Sequence, residues 1–280
     1  WEERDKGRNM CGIFAFMGAA PDRAAILKAV QSIRHRGQDG FGFWHGTKQG
    51  AMPRISHFRQ SGETDLEALA PLLEQGFPGG RHAFVAHWRY GTRGAYNVAE
   101  AQPLLLEQGQ MALVHNGQFS FRNRLEDGEG TDTQIFSRLL SKRRSGTTLM
   151  SRMQEVLPDV FGAYTIVAAH QDSLLVARDP YGFRPFFQGL YPGGIAFASE
   201  TTALEMIGCE QITEIPAGEI IERYQDGWIE RQVIRTEYPA LCSFEPIYFH
   251  GPEGHLNGVS VREYRFRLGR RLALESPVEK

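Results

Sequence analysis

Cys11, in Met10-Cys11-Gly12-Ile13-Phe14, is the residue whose chemistry depends most on what precedes it. Freed from the residues before it, it carries a thiol and an α-amino group on one Cα, a nucleophile with its own base. An α-amine has a pKa of about 7.7–8.0, so a useful fraction is unprotonated near neutral pH. Activation of a hydroxyl by its own terminal amine is a known nucleophile–base variant, and a cysteine here is the thiol counterpart. Taken alone, Met-Cys-Gly reads as a small buried thiol opening a strand; the rest of the chain decides between the two.

Four polar motifs follow at the ends of apolar runs, where a layered fold can gather side chains into one pocket. They are His35-Arg36-Gly37-Gln38-Asp39-Gly40, Trp88-Arg89-Tyr90-Gly91-Thr92-Arg93-Gly94, His115-Asn116-Gly117 and Gly130-Thr131-Asp132-Thr133. In this order behind Met-Cys-Gly-Ile, they resemble the glutaminase domain of the class II, N-terminal-nucleophile glutamine amidotransferases. Within that family His-Arg-Gly-Gln-Asp and Arg-Tyr-x-Thr-x-Gly are most similar to the amidophosphoribosyltransferase wording. The tail agrees. Cys242-Ser243-Phe244-Glu245-Pro246-Ile247-Tyr248-Phe249 and Gly258-Val259-Ser260-Val261, with Arg265, Leu268-Gly269 and Leu272-Ala273, resemble the passage into a phosphoribosyltransferase half.

The resemblance implies a role for each motif. Cys11 attacks the glutamine side-chain amide, releases ammonia and forms a thioester that water opens to glutamate. The Asn116 carboxamide and the Gly117 N–H are the implied oxyanion donors; without the surrounding motifs, Asn-Gly reads as a hairpin turn. Glutamine is a zwitterion, and Arg89 suits its α-carboxylate through two parallel hydrogen bonds. Asp132 suits the α-ammonium, with helix capping as the rival reading. Arg36 orients the terminal Cys, its rival being a surface cation at a helix end. Thr92 and Gly94 shape the substrate loop. His35, His87 and His115 read as structural, because the mechanism already has a base, and Arg178-Asp179-Pro180 and Ser199-Glu200 read as framework turns.

The resemblance implies no cofactor within this chain, Mg2+ in a phosphoribosyltransferase half, and an iron–sulfur cluster in some relatives. Cys242 matches a ligand position of that cluster, but a buried thiol is the preferred reading. Implied partners are L-glutamine and, through the second domain, 5-phosphoribosyl-1-diphosphate, with a homo-oligomer as the full-length form. The chain departs from the pattern at several points. The segments between Asn116 and Asp132 and ahead of Arg89 are short, Gly91 replaces a serine, and His250-Gly251-Pro252 replaces Ala-Arg-Pro. The rival functions are a freestanding class II glutaminase feeding another synthase and a glutamine-binding regulatory module without turnover.

The elements that must position these residues follow from periodicity and punctuation. Ile13–Met17 is continuously apolar, as in a strand covered on both faces. Pro21-Asp22 opens a helix carrying Ile26, Leu27, Val30 and Ile33, which stops near Gly37. A short helix is expected over Leu66–Leu73, and core strands over Ala83–Trp88 and Met111–Val114. Thr131–Gln134 has the form of a capping box before Ile135, Phe136, Leu139 and Leu140, with Lys142-Arg143-Arg144 closing that helix. Thr148–Leu157 is another amphipathic helix, and 163–224 is a series of short strands separated by turns. Strands, two helices and more strands make an α+β fold. The resemblance specifies the N-terminal-nucleophile hydrolase four-layer αββα sandwich, followed by the start of a second, phosphoribosyltransferase-type domain. The expected division is 1–10 leader or propeptide, removed on maturation; 11–236 glutaminase; 237–280 linker and truncated start of the second domain.

Composition bounds the rest. The 280 residues carry a net charge of −2, which predicts neither a nucleic-acid stripe nor a polybasic membrane patch. Three scattered cysteines without Cys-x-x-Cys spacing argue against a disulfide framework and for a reducing compartment. There is no apolar run long enough to span a membrane, and residues 1–9 have no apolar core of a signal peptide. Cytoplasmic location is the expectation.

Overall fold

The apolar run behind Cys11 forms a strand, Gly12–Ala19 (β1), whose alternate side chains enter two different cores. Phe14 and Phe16 face a helical layer, while Ile13, Ala15 and Met17 face a second sheet. This is a computed structural model, and it describes residues 10–49, 52–62, 66, 77, 80–91, 98–121, 130–142, 148–234, 238 and 240–277. Beyond β1 the strands are β2 (Gly40–Gln49), β3 (Met52–Ser61), β4 (Arg81–Arg89), β5 (Leu104–Leu106), β6 (Met111–Phe121), β7 (Val160–His170) and β8 (Ser173–Arg178). They continue with β9 (Phe187–Tyr191), β10 (Gly194–Ala198), β11 (Glu210–Glu214), β12 (Glu219–Tyr224), β13 (Ile229–Val233), β14 (His255–Leu256) and β15 (Val259–Ser260). The α-helices are α1 (Arg23–Ser32), α2 (Asp132–Lys142), α3 (Leu149–Val156), α4 (Thr201–Met206) and α5 (Val261–Glu275).

Two antiparallel sheets stack face to face. One runs β11-β9-β10-β1-β4-β2-β3 and the other β13-β12-β8-β7-β6-β5. Between them lies a core of Ile13, Ala15, Val85, Val114, Val167 and Val176. On the outer face of the first sheet, α1 and α4 bury Ile26, Val30, Ala203 and Leu204 against Phe14, Phe16 and Phe84. On the outer face of the second, α2 and α3 bury Phe136, Leu140, Met150 and Met153. The result is the expected αββα sandwich.

Local chemistry places the helices where the sequence predicts them. Asp22 caps α1 by accepting the Ala25 N–H at 3.2 Å. At α2 the capping box closes reciprocally: Gln134 Oε1 accepts the Thr131 N–H at 2.9 Å and Thr131 Oγ1 accepts the Gln134 N–H at 3.3 Å. Thr148 caps α3 one way only, its Oγ1 accepting the Ser151 N–H at 3.2 Å. The β2–β3 hairpin was not expected, because Gly40, Gly42 and Gly46 depress its strand propensity. Tertiary burial of Phe41, Phe43 and Trp44 supplies what propensity lacks. Of the helix expected over 66–73 only Leu66 lies within the described residues, and it is buried.

After β13 the chain forms a π-helical turn, Glu245–Phe249, then the β14–β15 ribbon and α5. Arg265 of α5 ties this segment together, donating to the Pro246 carbonyl at 2.8 Å and the His250 carbonyl at 2.7 Å. Among the described residues no helix is long and apolar enough to cross a membrane.

Candidate active site

Cys11 stands immediately ahead of β1, so the strand register fixes where it lies. Gly12 pairs with Trp88 of β4, and β4 runs directly into Arg89 and Tyr90. The turn carrying His35 and Arg36 packs on this strand end, and Gly37 lets it approach. A Cβ at Gly37 would lie 2.6 Å from the Trp88 carbonyl oxygen. From the second sheet, β6 brings Asn116 to the same place.

Three contacts hold Cys11. Its backbone N–H donates to Asn116 Oδ1 at 3.1 Å, its carbonyl accepts from Arg36 Nε at 3.1 Å, and its Sγ lies 3.9 Å from the Tyr90 carbonyl. Asn116 is buried, and its Nδ2 has no acceptor among the described residues. The opposite amide orientation would set Nδ2 against the Cys11 N–H, donor facing donor. The contact with Cys11 therefore leaves the donating end of Asn116 unengaged. Gly117 follows with φ +138, and a Cβ there would lie 2.0 Å from the Ala163 carbonyl oxygen, so the position is closed to any other residue.

Burial raises the Cys11 thiol above its ordinary value; the Tyr90 carbonyl contact and the charges of Arg89, Arg184 and Arg36 oppose this without reversing it. The thiol is therefore protonated near neutral pH and needs a base beside it. The histidines do not supply one. Burial lowers His87 to about 3 and His115 to about 4, so both are neutral. They form a framework instead: His87 Nε2 meets the His115 carbonyl at 3.2 Å, and His115 Nδ1 meets Thr133 Oγ1 at 3.0 Å. The His115 N–H donates to Gln102 Oε1 at 2.6 Å, which locks the residue next to Asn116.

Arg36 is fully buried rather than a surface cation. Its Nη1 donates to Glu200 Oε1 at 2.8 Å and Glu245 Oε2 at 3.2 Å, and its Nη2 donates to Glu245 Oε1 at 3.0 Å. Desolvation opposes the charge, but the two carboxylates outweigh it and hold the guanidinium above its ordinary value. Burial would likewise raise Glu200, but the His35 hydrogen bond and the Arg36 charge pull it down to about 2.

Arg89 is almost entirely buried and pairs through Nη2 with Glu100 Oε2. Asp132 accepts the Phe119 N–H at 2.9 Å and the Thr133 N–H at 2.8 Å, tying the start of α2 to β6. Because Thr131 caps α2, Asp132 is not its cap. Thr92 and Gly94 lie outside the described residues. The structure thus brings Cys11, Asn116 and Arg36 into direct contact.

Arg178 and Asp179 are framework: Arg178 Nε donates to the Arg184 carbonyl at 2.7 Å, and Asp179 accepts the N–H groups of Tyr181, Phe183 and Arg184. Glu200 does more than frame a turn, since it holds Arg36. Glu100, Arg184 and Glu245 join the site without a local sequence signal; Arg184 Nη1 touches Met10 Sδ beside Cys11. Cys242 is a free, half-buried thiol. Among the described residues no group of three or more His, Cys, Asp or Glu is arranged to hold a metal.

A family profile described as a glutamine amidotransferase domain matches residues 95–206. The chain is 32% identical to the amidophosphoribosyltransferase of Rhizobium etli, over 96% of this chain and 56% of that protein. It is 30% identical to the Bacillus subtilis amidophosphoribosyltransferase, over 98% of this chain and 59% of that one. A solved structure titled as the allosteric regulatory enzyme of purine biosynthesis superposes with a TM-score of 0.82 at 27% identity, covering 96% of this chain and 59% of its own. The B. subtilis glutamine phosphoribosylpyrophosphate amidotransferase, complexed with ADP and GMP, superposes with a TM-score of 0.79 at 26% identity, with the same coverage. The chain thus spans somewhat over half the length of these relatives, and nearly the whole of it is similar to them.

Proposed function

We propose that this chain hydrolyses the side-chain amide of L-glutamine, with Cys11 as nucleophile once the Met10–Cys11 bond is cut. The thiol passes its proton to the freed α-amine and Sγ bonds to the amide carbon. The carbonyl oxygen takes the negative charge and accepts hydrogen bonds from Asn116 Nδ2 and the Gly117 N–H. The amine returns the proton to the departing nitrogen, ammonia leaves, and a thioester remains. Water then attacks the thioester, again through an oxyanion, giving glutamate and the thiol. Arg89 takes the substrate α-carboxylate and Asp132 the α-ammonium, so Glu100 yields its partner when glutamine binds.

One observation carries this reading: the Asn116 carboxamide has its acceptor end on the Cys11 nitrogen and its donor end buried without an acceptor among the described residues. A carboxamide so divided orients the base with one end and is poised to stabilise an oxyanion with the other. For the whole protein we propose delivery of the ammonia to 5-phosphoribosyl-1-diphosphate, giving 5-phosphoribosylamine in purine synthesis. The similarity to amidophosphoribosyltransferases over nearly the whole chain supports this. The partner half that receives the ammonia would be the Mg2+-dependent one.

The test is made on the full-length protein. Intact mass identifies the first residue, and a diazoketone analogue of glutamine should add once, at Cys11, with loss in C11A. Glutamate release should accompany phosphoribosylamine formation when 5-phosphoribosyl-1-diphosphate is supplied. A retained leader without an adduct refutes the nucleophile. Glutamate release indifferent to 5-phosphoribosyl-1-diphosphate favours a freestanding glutaminase.

A further inference from the structure

Arg36 reaches the Cys11 carbonyl through Nε alone, so the plane of its guanidinium decides whether that hydrogen bond is straight. A single carboxylate on one Nη would leave the group free to pivot. Glu200 is such a single contact, on Nη1 at 2.8 Å. Glu245 is different: its two oxygens take Nη1 and Nη2 at 3.2 and 3.0 Å, a fork-to-fork pair that fixes the plane as well as the position. Neither partner of that pair is exposed.

Glu245 comes from beyond the sandwich. It opens the π-helical turn Glu245–Phe249, 209 residues after Arg36. The turn holds its own shape, the His250 N–H donating to the Glu245 carbonyl at 2.9 Å and Arg265 of α5 donating to the Pro246 and His250 carbonyls. Its end is also anchored to the sandwich, since the Gly251 N–H donates to Glu200 Oε2 at 2.9 Å and His35 Nε2 meets the Phe249 carbonyl at 3.1 Å.

We infer that Glu245 is a positioning residue for the nucleophile, acting through Arg36 on the Cys11 carbonyl. The inference rests on the glutaminase reading above. The carboxylate touches no substrate atom in that reading, so its work is to aim the residue that carries both thiol and amine. A misplacement of about 1 Å in a reacting group can lower turnover on the order of 10²-fold.

The experiment is glutamine hydrolysis by the full-length protein with E245Q, R36K and the double variant. Glutamine keeps the size of Glu245 but sets an NH2 against one Nη, breaking the fork. The expected result is a fall in kcat of about 10- to 100-fold with the glutamine KM held within about twofold. The double variant should be no worse than R36K alone, because the second change acts through a group already removed. Equal kcat in E245Q and wild type, a loss confined to KM, or additive losses in the double variant overturns the inference. Melting temperatures identify an unfolded variant. Should E245Q unfold, E245D, which keeps the charge but shortens the reach, carries the same test. Wild-type protein that neither hydrolyses glutamine nor is labelled at Cys11 overturns the glutaminase reading itself, so the two failures are distinguishable.

Discussion

Replacing Asn116 with alanine should separate activity from stability. The carboxamide contributes one hydrogen bond to the Cys11 nitrogen, a net stabilisation of about 1 kcal/mol. Against that, its buried Nδ2 has no acceptor among the described residues, a desolvation cost of about 1–3 kcal/mol that alanine removes. The two nearly cancel, so N116A should unfold within about 1 kcal/mol of wild type in urea. Turnover behaves differently, because the unengaged donor gains its partner only when the oxyanion forms. One such donor is worth about 2.7–4 kcal/mol, or about 10²–10³-fold in kcat, with KM little changed. Glutamate release at saturating and limiting glutamine measures both constants. N116D, which keeps an acceptor toward the Cys11 nitrogen but loses the donor, should be no faster than N116A. Alkylation of Cys11 by chloroacetamide is the internal control, since that displacement forms no tetrahedral oxyanion. N116A within tenfold of wild-type kcat, or a loss of activity matched by an equal loss of stability, refutes the argument.

Two further outcomes follow from the ion pairs. Glu100 competes with the substrate carboxylate for Arg89, and the pair retains some solvent access, so E100Q should lower the glutamine KM about fivefold, equivalent to ~1 kcal/mol; an unchanged or raised KM counts against Arg89 as the carboxylate site. Glu200 is held at about 2 against an ordinary 4.5, so it contributes about 3 kcal/mol near neutral pH. The sign follows from the protons: as pH falls below 4.5 the unfolded chain takes up this proton first, so the contribution fades between 4.5 and about 2. Urea unfolding of wild type and E200Q should show a gap that is constant above pH 5 and narrows below it, and a gap independent of pH across that window excludes the assignment.

The sheets and the site differ in how far sequence revealed them, and for a physical reason. β1, residues 83–86 of β4 and residues 111–114 of β6 are legible because they are buried on both faces and read as apolar runs. The α2 capping box is legible because it is closed by residues three apart. The β2–β3 hairpin is not, since its glycines carry no signal of the aromatic burial that stabilises it. At the site, motif order brings Cys11, Arg36 and Asn116 together correctly. The fate of Arg36 was less accessible: a cation after a helix reads as exposed, and the carboxylates that make its burial tolerable lie 164 and 209 residues further along the chain. Glu100 is closer, 11 residues from Arg89, but nothing in that spacing announces the pairing. Charge pairing across such separations has no periodicity to betray it.

On the proposed mechanism, the same nonlocality explains why a nucleophile of this kind needs so large a scaffold. When thiol and base belong to one residue, no neighbouring side chain can be the base, so the residue itself has to be aimed. Side-chain packing alone does not achieve this for a small residue ahead of a strand, where N, C=O and Sγ could all turn together. Here each is met by a different element: the nitrogen by Asn116 from the second sheet, the carbonyl by Arg36 from the turn after α1, the sulfur by the Tyr90 carbonyl beyond β4. Three directions of support suffice to fix a rigid group, and they come from both sheets. A single-sheet fold would supply two of them. If the proposed mechanism holds, the face-to-face stacking of the sheets is itself part of the catalytic apparatus, and the Glu245–Arg36 pair extends it by one more element from outside the sandwich.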